Sequence, residues 1–158
     1  MEKIAGLKGK KIAIIGLGTS QIDYVIGLEN SKTWCINSAL AAFDCDRVFM
    51  MDPASRYLDT EDAGNQTEVM RRLLPTFDKP IYSCELDDRV PAIVEYPLGE
   101  IVESQRCAYL STTVAYTIAF GLWNEVAHMD LFGIDFSYRH NLHFAEAGRA
   151  CVEFWVSK

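Results

Sequence analysis

Short apolar runs alternate along the chain with longer stretches in which apolar residues recur at helical spacing. The short runs are bounded by glycine, proline and charged residues, as buried strands usually are. They predict strands at residues 11–16, 32–36, 47–51, 80–84 and 129–136. The helically spaced stretches predict helices at residues 20–28, 60–74, 111–122 and 144–155, with a single helical turn at 38–43.

Between residues 85 and 106 the periodicity weakens. Pro91, Pro97 and Gly99 interrupt this segment, and acidic residues are dense in it. Because proline and glycine break regular structure, we expect an irregular segment there. The remaining alternation of strands and helices predicts an α/β fold, a Rossmann-like three-layer domain with a mainly parallel central sheet. We expect residues 1–158 to form a single domain whose functional loops follow the carboxyl ends of the strands.

Composition excludes several classes of partner. The chain is 49% hydrophobic, as an ordinary globular protein is. Its formal net charge is −7, so it has no general attraction to nucleic acid and we expect no such partner. No apolar run approaches the roughly 20 residues that span a bilayer, and the lysine-containing start lacks the apolar segment of a signal peptide. Five scattered cysteines without a CxxC pair are typical of reduced thiols. We therefore expect a cytoplasmic protein without a membrane span.

The stretch KIAIIGLGTS, which starts at residue 11, predicts a strand followed by a glycine turn. Gly16 and Gly18 match the first two glycines of the dinucleotide-binding motif G-x-G-x-x-G, but Gln21 occupies the third position. The acidic residue that would hold a ribose about 20 residues later is also missing, because Asn37 follows the second strand. The turn therefore does not predict a standard NAD site.

The physical basis of phosphate binding is nevertheless present in this turn. Thr19 and Ser20 follow the glycines at a predicted helix start, where unpaired N–H groups and hydroxyls favour an anion. A tight turn capped by Ser or Thr, without a ligand, explains the same residues equally well. Asn37 has two interpretations as well: its amide can bind a sugar hydroxyl or a base edge, or it can cap the helical turn that follows.

A second group of hydroxyls opens an otherwise apolar helix at Ser111, Thr112 and Thr113. Simple N-capping needs only one such side chain, so three of them favour a second set of donors for a phosphate. Neither the G-x-S-x-G elbow of α/β-hydrolases nor the P-loop lysine motif of NTPases occurs in the chain.

The stretch FGIDFSYRHNLHF places polar residues after the last predicted strand, at the sheet edge that usually carries function. Arg139 could neutralise phosphate charge, and Tyr138 lies beside it. His143, His140 or Asp135 could act as general base or acid near neutral pH. The two histidines and the glutamate that follows at the same spacing lack a clear fourth ligand, so we predict no metal site.

Taken in order, these segments resemble a known pattern. The chain is similar to the bacterial lipooligosaccharide sialyltransferases in these segments: IIGLGTS, CINSAL, DRVFMMDP, STTVAYTIAFGLWNEVAHMDLFGIDF and the His/Tyr loop after them. They are equally similar to Maf-type flagellin glycosyltransferases and to archaeal hydroxymethylpterin diphosphokinases. In that group a GNGPS turn follows the first strand, an RCN segment follows the second, and a Ser/Thr-rich helix start precedes a GxDF strand end. The resemblance covers residues 11–144.

The resemblance implies a nucleotide held by the turn at residues 16–20. It also implies that Asn37 contacts the sugar, that Ser111, Thr112 or Thr113 contacts the phosphate, and that Asp135 and Tyr138 lie nearby. Two positions depart from the family pattern: Leu17 replaces its Asn and Thr19 its Pro. The family usually continues beyond the point where this chain ends, which predicts either a reduced member or a fragment.

These observations lead to one expected function and two alternatives. We expect a transferase that uses a nucleotide or nucleotide-sugar donor and is glycosyltransferase-like (sialyltransferase-like), with no tightly bound cofactor. The first alternative is a noncatalytic nucleotide-binding or inhibitory module. The second is a pyrophosphokinase acting on a pterin-like alcohol, which would need Mg²⁺ on carboxylates such as Asp52 or Asp135. Phe154 and Trp155 belong either to the core or to a contact in a homo-oligomer.

Overall fold

The computed structural model describes residues 1–26, 32–137 and 141–158. Within these residues six strands form one sheet in which every neighbouring pair is parallel, in the order β5-β4-β3-β2-β1-β6. The strands are β1 (Lys11–Ile15), β2 (Lys32–Ile36), β3 (Arg47–Phe49), β4 (Ile81–Ser83), β5 (Ile93–Glu95) and β6 (His128–Phe132). The predicted α/β Rossmann-like fold is confirmed, and the sheet is parallel throughout the described residues rather than only mainly so.

In the described residues helices lie between consecutive strands, except between β4 and β5, and the last helix follows β6. The α-helices are α1 (Ser55–Leu58), α2 (Thr67–Leu73), α3 (Leu98–Gln105), α4 (Thr113–Trp123) and α5 (Leu142–Val156). Tighter 3-10 helices span Thr19–Ile26, Asn37–Ala41, Gly64–Gln66 and Leu74–Thr76. No helix in the described residues has the length and apolar character needed to cross a membrane.

Strand residues alternate between two faces, and each face has its own core. On one face an aromatic cluster of the sheet packs with α3, α4 and α5. Its ring centroids lie 5.2 Å apart between Phe49 and Tyr82 and 4.7 Å apart between Tyr82 and Phe120. On the other face, Val48 and its neighbours pack against α1, α2 and the 3-10 helix after β2. Helices on both faces give the three layers expected of a parallel sheet.

The predicted irregular segment at residues 85–106 is wrong, because it contains β5 and α3. β5 pairs with β4 over three residues only, too few for a period of two to stand out between Pro91 and Pro97. α3 ends at Gln105, and Arg106 follows it as the C-cap in a left-handed conformation with φ 51°. The prolines therefore limit the length of β5 and α3 but do not prevent these elements from forming.

Predicted and observed elements differ in extent, most clearly at β6 and α2. The strand predicted at 129–136 is β6, which ends at Phe132 because Gly133 turns the chain with φ +66°. β6 is also an edge strand, so only Phe132 is buried and the strand is not the buried one that we expected. The helix predicted at 60–74 begins as α2 at Thr67, after a 3-10 turn. Residues 27 and 28 of the helix predicted at 20–28 lie outside the described residues.

The C-terminal helix α5 contains Phe154 and Trp155, for which we expected either a core position or a contact in a homo-oligomer. Asn141 caps α5, its Oδ1 accepting from the N–H of Phe144 at 3.2 Å. Trp155 is fully buried, and its Nε1–H donates to the carbonyl of Tyr109 at 2.6 Å. Trp155 is thus a core residue, whereas the neighbouring Phe154 is 37% exposed.

Candidate functional site

The strand order places a switch point between β1 and β6. From β1 the chain moves outward through β2, β3, β4 and β5, and then returns to add β6 on the other side of β1. Connections leave such a point in opposite directions, which opens a crevice at the carboxyl ends of the strands. Two adjoining cavities lie along this edge, with volumes of about 570 Å³ and about 370 Å³. Both are lined by Ile36, Asn37, Gln66, Val114 and Phe136.

The smaller cavity, here called the small compartment, lies over the turns after β1 and β6. Besides the shared residues it is lined by Gly16, Leu17, Gly18, Gly133, Ile134, Asp135 and Ser137. The larger cavity, the large compartment, extends over the ends of β2 and β3 to the start of α4. It is lined in addition by Met51, Asp52, Arg56, Tyr57, Ala63, Leu110, Ser111, Thr112, Thr113, Tyr116 and Phe144.

The turn after β1 packs directly against the turn after β6. The N–H of Gly16 donates to the carbonyl of Phe132 at 2.7 Å, and the N–H of Gly18 donates to that of Gly133, also at 2.7 Å. A Cβ on Gly16 would lie 2.6 Å from the Gly133 oxygen, and one on Gly18 would lie 2.8 Å from it and overlap the Asp135 carboxylate. Both glycines are therefore required by contacts within the protein.

Asp135 occupies the helix start that follows these glycines. Its carboxylate accepts from the N–H of Ser20 at 2.9 Å, from the Ser20 hydroxyl, and from the Thr19 hydroxyl at 3.4 Å. The Ser20 Oγ in turn accepts from the N–H of Gly133 at 3.0 Å. The bonds from Ser20 hold the pKa of Asp135 below its usual range. The donors that we predicted for a phosphate thus already bind a carboxylate, and the lowered pKa makes Asp135 a weak general base.

Asn37 lies where the two compartments meet. It follows β2 directly and adopts a left-handed conformation with φ 48°, which Asn tolerates better than most residues. Its Oδ1 is buried and has no hydrogen-bond partner among the described residues. The residue predicted to contact a sugar therefore lines both compartments, and its Oδ1 is a buried acceptor without a partner among the described residues.

The three hydroxyls at the start of α4 all line the large compartment. Thr112 is the N-cap, and its Oγ1 accepts from the N–H of Ala115 at 3.2 Å. Ser111 is exposed and Thr113 is half-buried. One hydroxyl of the three thus serves the cap, as simple capping requires, and the other two face the cavity without that task.

Arg56 and Gln66 are two of the groove residues that were not predicted from the sequence. Arg56 of α1 lines the large compartment and forms an ion pair with Asp52 at 2.8 Å. Gln66 lies between the compartments, where its Oε1 accepts from the hydroxyl of Ser38 at 2.9 Å. The spacing of four residues between Asp52 and Arg56, just after a strand end, could have indicated the first of these.

The remaining predicted site residues are placed differently or lie outside the described residues. His143 is in the first turn of α5, is exposed and lines neither compartment. Tyr138, Arg139 and His140 are not among the described residues. Phe136 was not predicted, yet it lines both compartments with a φ of 48°, an uncommon conformation for a bulky residue.

No family model matches the sequence, and neither a curated protein nor a solved structure matches it. The resemblance to the sialyltransferase group therefore stays a prediction. In the described part of the chain, no group of three or more His, Cys, Asp or Glu side chains could hold a metal ion. Asp52 and Asp135, the carboxylates considered for Mg²⁺, line different compartments.

Proposed function

We propose that the chain binds a nucleotide or nucleotide-sugar in the groove formed by the two compartments, as a glycosyltransferase-like transferase would. The position of Asn37 carries the proposal. Its Oδ1 is a buried acceptor with no partner among the described residues, at the junction of the compartments. An unpaired buried acceptor costs about 1–3 kcal/mol, and a donor on a ligand would remove that cost. Sugar hydroxyls and the amino groups of bases are such donors.

The size and position of the groove support the same class of ligand. Cavities of roughly 300–1,000 Å³ are typical of small-molecule and cofactor sites. The two compartments have volumes of about 570 and 370 Å³ and share a boundary, so an elongated ligand can extend through both. They lie at the switch point of a parallel sheet, where α/β proteins usually bind their ligands.

Calorimetry with CMP, UMP, GDP and ATP tests the proposal directly. At least one of them should bind the wild type, and Asn37→Gly should weaken that binding severalfold or more. Glycine is the informative replacement because it tolerates the left-handed backbone of Asn37 while it removes the side chain and with it the amide. Asn65→Gly is the matched control, since Asn65 is exposed and lines neither compartment. Failure of all four nucleotides to bind, or unchanged affinity in Asn37→Gly, would contradict the proposal.

A noncatalytic nucleotide-binding module is the second candidate, and the placement of the two expected catalytic residues that the structure describes favours it. Asp135 has a lowered pKa and is committed to Ser20, and His143 lies outside both compartments. An assay for donor hydrolysis and transfer with any nucleotide-sugar that binds separates the candidates. Turnover supports the transferase, whereas tight binding without turnover supports the module.

Pyrophosphate transfer from ATP is the third possibility and makes a distinct prediction. It requires Mg²⁺ to bridge the ATP phosphates and protein carboxylates. ATP should then bind much more tightly in the presence of Mg²⁺ than in EDTA, and Asp52→Asn should abolish that difference. Equal ATP affinity in both buffers would exclude this mechanism.

A further inference from the structure

The charges that line the groove are divided between its two compartments. Among the described residues of the large compartment the charged side chains are Arg56 and Asp52, which pair with each other. Among the described residues of the small compartment the charged side chain is Asp135. The described lining of the small compartment is therefore negative, whereas that of the large compartment is neutral overall and contains a guanidinium. Because a carboxylate repels a second anion, the two compartments favour different ends of a polar ligand.

From this division we infer the orientation of the ligand, an inference that rests on the proposed function. Its anionic group binds in the large compartment against Arg56, which we assign as the anion-recognition residue. Its uncharged, hydroxyl-bearing or amino-bearing end occupies the small compartment. The ligand is thus a polar molecule with a phosphate or carboxylate at one end and hydrogen-bond donors at the other. This orientation is opposite to that expected from a glycine turn that cradles phosphate.

The turn after β1 excludes the opposite orientation. Both the N–H and the hydroxyl of Ser20 donate to Asp135, and the N–H of Gly18 donates to the carbonyl of Gly133. These donors are already used inside the protein and are not available to a phosphate. A phosphate in the small compartment would also lie beside the ionised Asp135, whose pKa is lowered. The small compartment instead offers an acceptor, the Asp135 carboxylate, and it is lined by Asn37, whose Oδ1 has no partner among the described residues; both side chains suit hydroxyls or an amino group.

Arg56 has the geometry of a cation that can exchange partners. Its Nη1 lies 2.8 Å from Asp52 Oδ1, and the two side chains are 41% and 38% exposed. An exposed ion pair of this kind contributes at most about 1 kcal/mol, so a phosphate can share or replace Asp52 at little cost. Ser111 and Thr113 line the same compartment and add hydroxyl donors to the anion.

The test compares each nucleotide with its nucleoside, AMP with adenosine and CMP with cytidine, by calorimetry. Arg56→Gln should weaken the nucleotide about tenfold or more, as expected for a lost charge-assisted contact, and should leave the nucleoside unchanged. Arg72→Gln on α2 is the control, because Arg72 is exposed and lines neither compartment. Asp135→Asn should weaken nucleotide and nucleoside by the same factor, since its carboxylate accepts from the end that the two ligands share and not from the phosphate.

Three results would decide against this orientation or against its basis. Nucleotide affinity that rises tenfold in Asp135→Asn and is unaffected in Arg56→Gln would place the phosphate at the β1 turn and overturn the inference. Equal wild-type affinity for nucleotide and nucleoside would overturn it too, while leaving nucleoside binding in the groove intact. Absence of binding by these four compounds and by UMP, GDP and ATP would instead remove the proposed function itself, which makes the two failures distinguishable. Circular dichroism of each variant establishes that it is folded.

Discussion

Removal of the Asp135 carboxylate should destabilise the protein in a pH-dependent way, whether or not a ligand binds. In Asp135→Ala the N–H of Ser20 and the hydroxyls of Ser20 and Thr19 lose their acceptor. These groups begin the 3-10 helix Thr19–Ile26 and connect it to the turn after β6. The substitution therefore removes a cap and a link between two turns.

The expected magnitude follows from the chemistry of caps. Replacement of a capping Ser, Thr, Asn or Asp by Ala costs about 0.5–2 kcal/mol. Asp135 is exposed, so water replaces part of what is lost and the value should be near 1 kcal/mol. The Ser20 Oγ still accepts from Gly133 in the variant, which limits the loss further. For a chain of this size, about 1 kcal/mol lowers Tm by roughly 2–4 °C.

The pH dependence has a defined sign. Ser20 lowers the pKa of Asp135 in the folded state, so the carboxylate stabilises the fold above the ordinary Asp pKa of about 4. That stabilisation is lost as the pH falls through the lowered pKa. The difference in unfolding free energy between wild type and Asp135→Ala should thus be full at pH 7 and should shrink below about pH 4.

Urea unfolding of wild type and variant from pH 7 to pH 3 measures this difference. Asp23→Ala is the control, because Asp23 is an exposed carboxylate on the same 3-10 helix. The reasoning is refuted if the two variants unfold at the same urea concentration at pH 7. It is refuted equally if the Asp135→Ala difference keeps its full size at pH 3.

Three further substitutions test other parts of the site and core. Gly18→Ala should lower the unfolding free energy by about 2 kcal/mol or more in urea titrations, because its Cβ would overlap the Asp135 carboxylate; wild-type stability would contradict the packing of the two turns. Thr112→Ala should cost about 1 kcal/mol by thermal unfolding, the value of one N-cap, whereas Thr112→Ser should cost much less. Arg47→Met should leave the unfolding free energy unchanged or raise it by about 1 kcal/mol. The reason is that Nε and Nη1 of this buried guanidinium have no hydrogen-bond partner in the described residues. A lower unfolding free energy than that of the exposed control Arg72→Met would refute this.

The fold could be predicted from the sequence because its strands are short apolar runs between breakers. β1 and β2 illustrate this, since both match the predicted runs to within one residue. β5 could not be predicted, because three residues between prolines carry too little periodicity and its pairing with β4 is a long-range choice. The edge position of β6 could not be predicted from the sequence either, because strand order is decided by the packing of the whole sheet.

The site could be predicted in its position but not in its internal contacts. The carboxyl ends of parallel strands meet at one edge, which brought Asn37 and the start of α4 to one groove as expected. Arg56 was not predicted as a site residue, because its helix α1 is four residues long and too short to show a periodic pattern. The pairing of Asp135 with Ser20 escaped too, since the two residues are 115 positions apart and nothing local connects them.

The same pairing explains why the glycine motif after β1 is incomplete. In dinucleotide-binding folds the third glycine permits close packing of helix and strand. Here the glycine at that close approach is Gly133, where an added Cβ would lie 3.0 Å from the Cβ of Gln21, so position 21 tolerates a side chain. The carboxylate of Asp135 takes the place of a pyrophosphate at the helix start, and Gly18 gives it room. The glycines of this turn are therefore explained by contacts within the protein, and evidence for a phosphate must come from the other end of the groove.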